Sequence, residues 1–138
     1  MKIKYGGWIF LSLCFLSTYR LFPLGKSVGL TIFFVLSMVL HELGHALAAW
    51  YYGVHVHELG LCLWGGYIRF EHPGNALYHV VILTAGMLMN LLLVPLFWFL
   101  PQIGPLVSVW NLVLFASSIV PLPAFDGGKI LKLCMRQS

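Results

Sequence analysis

Charged side chains are scarce in this sequence of 138 residues. Lys and Arg number eight, Asp and Glu four, and together they make up 9% of the chain, against 60% hydrophobic residues. A soluble domain carries about 25% charged residues, and a soluble fold of this size could not cover its surface with so few. Apolar side chains can point outward in hydrocarbon, so the composition predicts a membrane protein in contact with the lipid bilayer.

Three other features are missing from the sequence. No basic run is interleaved with aromatic residues, so we expect no nucleic-acid partner. The three cysteines, Cys14, Cys62 and Cys134, form no CxxC pair, which argues against a disulfide framework and a cysteine metal site. The first twenty residues resemble a signal peptide, yet no small-x-small cleavage site follows, so we expect a retained first span.

Four apolar segments are long enough, or nearly so, to cross a bilayer, which takes about 20 residues. They cover residues 6–22, 27–52, 76–100 and 106–120 approximately. The expected fold is a single domain over residues 1–138, an all-α polytopic membrane protein with about four transmembrane helices.

Two shorter stretches differ from the spans. Residues 54–72 contain alternating and β-prone segments around Gly65 and Gly66, which predicts a β-hairpin or small sheet between the second and third spans. Residues 127–137 interleave apolar and basic residues and predict an amphipathic tail.

The basic residues predict an orientation. With four spans, both termini lie on one side, and six of the eight basic residues share it, namely Lys2, Lys4, Arg69, Lys129, Lys132 and Arg136. Arg20 and Lys26 lie opposite. The positive-inside rule therefore predicts that both termini are cytoplasmic.

The sequence His41-Glu42-Leu43-Gly44-His45 lies inside the second span. Histidines four apart share one face of a helix, so both rings can reach one ion, and the glutamate can contact a water on it. These polar residues are costly in lipid unless they are paired or bound to a metal. The motif predicts a zinc site, and an interhelical hydrogen-bond cluster is the alternative.

Catalytic zinc needs a third protein ligand. The remaining acids are Glu58, Glu71 and Asp126, and the first two lie in the polar hairpin. Asp126 follows the last span, after Pro121 and Pro123, where irregular backbone can line a cavity at membrane depth. Asp126 is the predicted third ligand, with a helix N-cap as its alternative role.

Four stretches together resemble the site-2 protease family of intramembrane zinc metalloproteases, nearest the sporulation-type members that cleave a membrane-tethered sigma-factor precursor. They are the zinc motif with its flanks at 40–46, the glycine-containing hairpin at 63–68, the stretch 84–90 on the third span, and 121–129 with its Asp-Gly pair. The resemblance extends from about residue 27 to residue 129.

The resemblance implies one zinc ion per chain on His41, His45 and Asp126, with Glu42 as the catalytic base. It further implies a transmembrane protein as substrate, regulated intramembrane proteolysis, and a bacterial cell membrane with the active site toward the cytoplasmic side. It leaves room for a membrane regulatory partner or a homo-oligomer.

Two positions depart from the family pattern. Met87 stands where a proline is usual, and Ser118 stands where the last motif usually has an asparagine that holds the substrate or the oxyanion. The candidates for substrate or oxyanion contacts are therefore Ser118, Asn90, Asn111, Gly65 and Gly66. Gly86 with Asn90 forms either a substrate contact or a helix-packing notch.

Two other functions compete with an active protease. A metal-binding but inactive homologue that binds membrane partners is favoured by Ser118 and opposed by the intact Glu42. A metal transporter would need more polar residues across several spans. His55 and His57 point the same way on a strand and could bind a metal, or they are surface polar residues.

Overall fold

The computed structural model describes residues 2–3, 5–62, 65–123 and 125–135. In chain order its elements are β1 (Lys2–Ile3), α1 (Tyr5–Tyr19), α2 (Leu24–Tyr51), β2 (Val56–Cys62), β3 (Gly65–Phe70), α3 (Ala76–Trp98), α4 (Gly104–Ile119) and α5 (Asp126–Met135). The predicted mostly helical fold, with a β-hairpin between α2 and α3, is confirmed. The end of the predicted tail, Arg136 and Gln137, lies outside the described residues, as do Leu63 and Trp64 of the hairpin motif.

The helix boundaries follow local sequence signals. Helix α2 begins directly after Pro23, whose missing N–H costs nothing at a helix start. Asn75 caps α3 by accepting a hydrogen bond from the Leu77 amide at 2.9 Å. Helix α4 ends at Ile119, two residues before Pro121, so the chain leaves the helix before it reaches Asp126.

In the part of the chain that the structure describes, two helices, α2 with 28 residues and α3 with 23, are long and apolar enough to cross a membrane. Helices α1 and α4 are apolar but shorter, at 15 and 16 residues. Helix α2 packs against α3, and α3 packs against α4. The middle of the chain thus forms a layer of three helices around one core.

The sheet has the strand order β1-β2-β3. Strand β1, which the sequence did not predict, pairs in parallel with β2, with Lys2 opposite Gly60. Strand β3 pairs antiparallel with β2, with Leu59 opposite Ile68. Within the described part of the chain β3 is an edge strand, and it packs against α2, the helix that carries the zinc motif.

The helix core combines apolar packing with a few polar contacts. Leu30, Leu93, Phe97 and Val107 form a buried cluster between α2, α3 and α4. Asn111 on α4 donates its side-chain amide to the Ser37 hydroxyl on α2 at 2.9 Å. Interhelical hydrogen bonds of this kind stabilise helix packing in a membrane by about 0.6 kcal/mol on average.

Candidate metal centre and active site

The motif histidines lie one turn apart on α2 and face the same way. The Nε2 atoms of His41 and His45 are 3.1 Å apart, and His45 is buried with 1% of its surface exposed. Helical geometry alone accounts for the shared face, because residues four apart lie above one another.

Asp126 is the first residue of α5 and brings a carboxylate to these rings. Its Oδ2 atom lies 3.2 Å from Nε2 of His41 and 3.2 Å from Nε2 of His45. The three residues form a group whose ligand atoms all lie within 4.8 Å of one another; His45 and Asp126 are buried, and 11% of the His41 side chain is exposed. The structure therefore brings together the three residues predicted to bind zinc, although Asp126 is 81 residues from His45 and 85 from His41 in the chain.

The hydrogen bond on the far side of His45 defines its tautomer. The carbonyl of Ile82 on α3 lies 2.7 Å from Nδ1 of His45, and a carbonyl can only accept, so Nδ1 carries the hydrogen. In the neutral ring Nε2 is then an acceptor, and it faces the acceptor Oδ2 of Asp126 at 3.2 Å. Two acceptors at this distance need a cation between them, a proton or a metal ion.

The spacing of the three donor atoms fits zinc. With Zn–N bonds of about 2.0–2.1 Å and Zn–O bonds of about 2.0–2.2 Å, tetrahedral ligands lie about 3.3 Å apart. The observed distances of 3.1 and 3.2 Å are close to this value. Three protein ligands leave the fourth tetrahedral position open, as catalytic zinc sites do.

Each candidate ligand is also held through its second polar atom. Nδ1 of His41 lies 2.9 Å from the Asn90 amide on α3, and Oδ1 of Asp126 accepts from the Lys129 ammonium at 2.7 Å. Together with the Ile82 carbonyl on His45, these contacts fix all three side chains. Outer contacts of this kind orient metal ligands in proteins.

Asp126 is suited to bind a cation at neutral pH. Burial raises the pKa of its carboxyl, but the adjacent polar groups of His41 and His45 and the charge of Lys129 outweigh burial, so its pKa lies below the ordinary range. The side chain is therefore an anion.

Glu42 lies beside this group at the wall of a cavity of about 420 Å³. Only 6% of Glu42 is exposed. His41, Asp126 and Lys129 line the same cavity, and the remaining wall combines apolar residues, among them Met38, Ile68, Leu114 and Phe125, with polar ones, among them Arg69, Asn90, Ser117 and Ser118. A carboxylate, a potential metal position and a space with both polar and apolar walls thus adjoin one another.

Strand β3 closes one side of the cavity through residues 66–69. A Cβ atom added to Gly66 would lie 2.5 Å from Oε1 of Glu42 and 2.6 Å from its Cγ. Only glycine lets the strand backbone approach the carboxylate this closely. Gly65, its neighbour, pairs with Cys62 at the start of β3.

Ser118 lines the cavity, but its hydroxyl is engaged. It donates to the Leu114 carbonyl one helical turn earlier, at 2.8 Å. The neighbouring Ser117 does the same at 2.9 Å. Neither hydroxyl is presented as a free donor to the cavity.

The two asparagines predicted as substrate contacts lie in different places. Asn90 is fully buried, lines the cavity and contacts His41. Asn111 is also fully buried, but its amide nitrogen bonds Ser37 and the Val107 carbonyl, in the contact between α2 and α4. The structure brings Asn90 to the site and places Asn111 in helix packing.

The other histidines form pairs. The ring centroids of His55 and His57 are 5.0 Å apart, and those of His72 and His79 are 5.2 Å apart. Among the described residues neither pair belongs to a group of three candidate metal ligands.

Sequence reasoning missed three parts of the site. The Ile82 carbonyl is a backbone group and leaves no signal in a motif. Lys129 could have been found, because it follows Asp126 by three residues at the start of a helix, where opposite charges are neighbours. The contribution of Arg69 and Ile68 to the cavity depends on how β3 packs on α2.

Comparison with known proteins finds relatives by sequence. The chain is 28% identical over 108 residues to Stage IV sporulation protein FB of Bacillus subtilis, which covers 72% of this chain and 38% of that protein. It is 32% identical over 120 residues to "Putative zinc metalloprotease sll0528" of Synechocystis sp., covering 79% of this chain and 31% of that protein. The chain therefore spans less than two fifths of either relative. No family model matches the sequence.

A solved structure shares the fold. The Site-2 Protease from Methanocaldococcus jannaschii superposes with a TM-score of 0.81 at 23% identity, over 99% of this chain and 67% of that chain. The shared fold, the two sequence relatives and the apolar helices agree with the resemblance carried by the four motifs. These findings support placing the chain, a membrane protein, in the site-2 protease family, near its sporulation-type members.

Proposed function

We propose that this chain is an intramembrane zinc endopeptidase that hydrolyses peptide bonds in or near transmembrane segments of membrane proteins. The observation that carries the proposal is the convergence of His41, His45 and Asp126 at 3.1–3.2 Å, beside the buried Glu42. One zinc ion per chain, held by these three residues, would supply Lewis acidity toward a peptide carbonyl and a water molecule.

Glu42 is the proposed general acid and base. Its carboxylate accepts a proton from the attacking water and passes it to the nitrogen of the leaving amine. Its side chain is buried and lies directly against the β3 backbone at Gly66. His41, His45 and Asp126 hold their donor atoms in place through the contacts with Asn90, Ile82 and Lys129.

The edge of β3 is the proposed binding site for the substrate backbone. A peptide carbonyl inside an intact helix is hydrogen-bonded, so the substrate must unwind before hydrolysis. An unwound segment can add to an exposed sheet edge through main-chain hydrogen bonds. Residues 66–69 of β3 line the cavity, so a strand added there would run past Glu42.

The proposed arrangement in the membrane has four spans, formed by α1 to α4, in a bacterial cell membrane. Both termini, and the active site nearer to them, face the cytoplasm, as the distribution of basic residues favours. The substrate is a transmembrane protein, and regulated intramembrane proteolysis is the proposed physiological setting. The proposal allows for a membrane regulatory partner or a homo-oligomer.

Co-expression with a single-span substrate carrying tags on both sides tests the activity. The wild type is expected to release a shorter product, and Glu42→Gln to release none while it keeps zinc. Glu71→Gln is the matched control, because Glu71 is an exposed acid outside the cavity. Equal cleavage by the wild type and Glu42→Gln would exclude the proposed role of Glu42.

An inactive metal-binding homologue is the second candidate. It is favoured by Ser118, whose hydroxyl is bonded to the Leu114 carbonyl and offers the oxyanion no free donor. A protein of this kind would bind zinc and membrane partners, and neither the wild type nor Glu42→Gln would cleave any substrate. The intact Glu42 beside the metal position favours the protease.

A further inference from the structure

Asn90 touches the metal centre from its outer side. It lies on α3 with 0% of its surface exposed, and its side-chain nitrogen is placed 2.9 Å from Nδ1 of His41. The amide oxygen is buried and has no hydrogen-bond partner among the described residues. The side chain therefore makes one contact with the site, and that contact is to a proposed ligand.

The amide can face His41 in two ways, because oxygen and nitrogen exchange places on a half-turn. If the nitrogen faces His41, it donates to Nδ1, and a neutral ring then carries its hydrogen on Nε2, where the metal would bind. If the oxygen faces His41, it accepts a hydrogen from Nδ1 and leaves the Nε2 lone pair free. Either orientation leaves one amide atom without a described partner, so the ligand chemistry decides between them.

The neighbouring histidine shows the required pattern. His45 donates its Nδ1 hydrogen to the Ile82 carbonyl at 2.7 Å and presents Nε2 to the site. Histidines that bind metals generally donate the other ring hydrogen to an acceptor, which fixes the tautomer. His41 needs an acceptor at Nδ1 for the same reason, and Asn90 is the residue at that position.

We propose that Asn90 is a positioning residue whose side-chain oxygen accepts the Nδ1 hydrogen of His41 and holds Nε2 ready for the metal. The proposal rests on the metal site of the proposed function and does not need the protein to be a protease. It gives Asn90 a role different from that of a substrate or oxyanion contact. It also makes α3 the support of both histidines, through Asn90 and through Ile82.

Zinc affinity of three variants tests the proposal on the full chain in detergent, by competition with a chromophoric chelator. Asn90→Leu keeps the size of the side chain and removes the acceptor, and zinc should bind about 10–100-fold more weakly. Asn90→Asp keeps an acceptor and removes the donor, so its affinity should equal or exceed that of the wild type. Thr84→Val is the matched control, because Thr84 is on the same helix and its hydroxyl donates to the Val80 carbonyl, away from His41 and His45.

The zinc affinities of these variants either support or overturn the role of Asn90. Unchanged zinc affinity in Asn90→Leu, or equally weak binding in Asn90→Leu and Asn90→Asp, would overturn the proposal. If Asn90→Leu does not fold, Asn90→Ala against Asn90→Asp gives the same comparison. Long-range 1H–15N spectra of the zinc-bound protein supply a second readout, in which His41 should carry its hydrogen on Nδ1.

Zinc affinity of the Asn90 variants can be measured independently of substrate cleavage, which tests the proposed function. A wild type that binds zinc but cleaves no substrate would refute the protease while leaving the assignment of Asn90 intact. An Asn90→Leu variant that keeps its zinc affinity and loses only cleavage would assign Asn90 to the substrate, and would refute the positioning role alone.

Discussion

Gly86 on α3 lies directly against the imidazole ring of His45 on α2. A Cβ atom added to Gly86 would overlap the Cε1 and Nε2 atoms of that ring. The glycine is what allows the ring to reach the Ile82 carbonyl one turn earlier on the same helix. Of the two interpretations of Gly86, a packing notch or a substrate contact, the geometry favours a notch that holds a proposed metal ligand.

Gly86→Ala is therefore expected to displace His45 and to weaken zinc binding by at least about tenfold, as loss of a supporting contact does. Overpacking should also lower the free energy of unfolding by about 1–3 kcal/mol. Zinc titration and thermal unfolding in detergent measure the two effects. Gly25→Ala is the control, since nothing lies within 4 Å of a Cβ atom at Gly25; equal zinc affinity in both variants would contradict the account.

Gly66→Ala should affect the base and spare the metal. The added methyl group would lie 2.5 Å from Oε1 of Glu42, so either the carboxylate or β3 must move. We expect cleavage to fall about a hundredfold, the scale of losing a general base, while zinc affinity stays within about threefold of the wild type. Parallel loss of zinc binding and cleavage would show that Gly66 supports the metal site instead.

Lys129 and Lys132 form a matched pair on α5. The Lys129 ammonium donates to Oδ1 of Asp126 at 2.7 Å, whereas Lys132 is an exposed residue one turn further along. Lys129→Met should weaken zinc binding by about tenfold or more, because the Asp126 carboxylate loses the contact that orients it. Lys132→Met should bind zinc like the wild type, and a similar loss in both variants would contradict a specific role for the contact between Lys129 and Asp126.

Ser118→Ala should change the cleavage rate by less than about threefold. Removing an oxyanion donor costs about 100–1,000-fold in rate, but the Ser118 hydroxyl is donated to the Leu114 carbonyl. Ser117→Ala, which removes an equivalent bond to the same carbonyl, is the control. A loss near a hundredfold in Ser118→Ala alone would show that the hydroxyl turns toward the substrate during the reaction.

The order of elements was predictable because each has a local cause. The helix layer follows from apolar runs, and the hairpin follows from alternation around Gly65 and Gly66. Helix ends differ from the predicted spans by up to three residues, as where α1 ends at Tyr19 and not at residue 22. Strand β1 was not predicted, because two residues that pair in parallel with β2 leave no periodic signal.

The candidate site also has parts that the sequence predicts and parts that it does not. The spacing of His41 and His45 follows from one helix, and the scarcity of acids left Asp126 as the candidate to join them. The contacts of Ile82 and Asn90 depend on how α3 crosses α2, and no pattern within either segment encodes that crossing. The engaged hydroxyl of Ser118 was also hidden, because a bond to Leu114 and a bond to a substrate are equally compatible with the sequence.

The most direct test is hydrolysis by the purified full chain in liposomes with a single-span substrate, followed by mass spectrometry of the products. The account predicts one zinc ion per chain and two fragments cut in or near the span, whose masses sum to that of the substrate plus one water. Chelation should stop the reaction, added zinc should restore it, and Glu42→Gln should bind zinc without cleaving. Cleavage that persists after zinc removal, or in Glu42→Gln, would contradict the account.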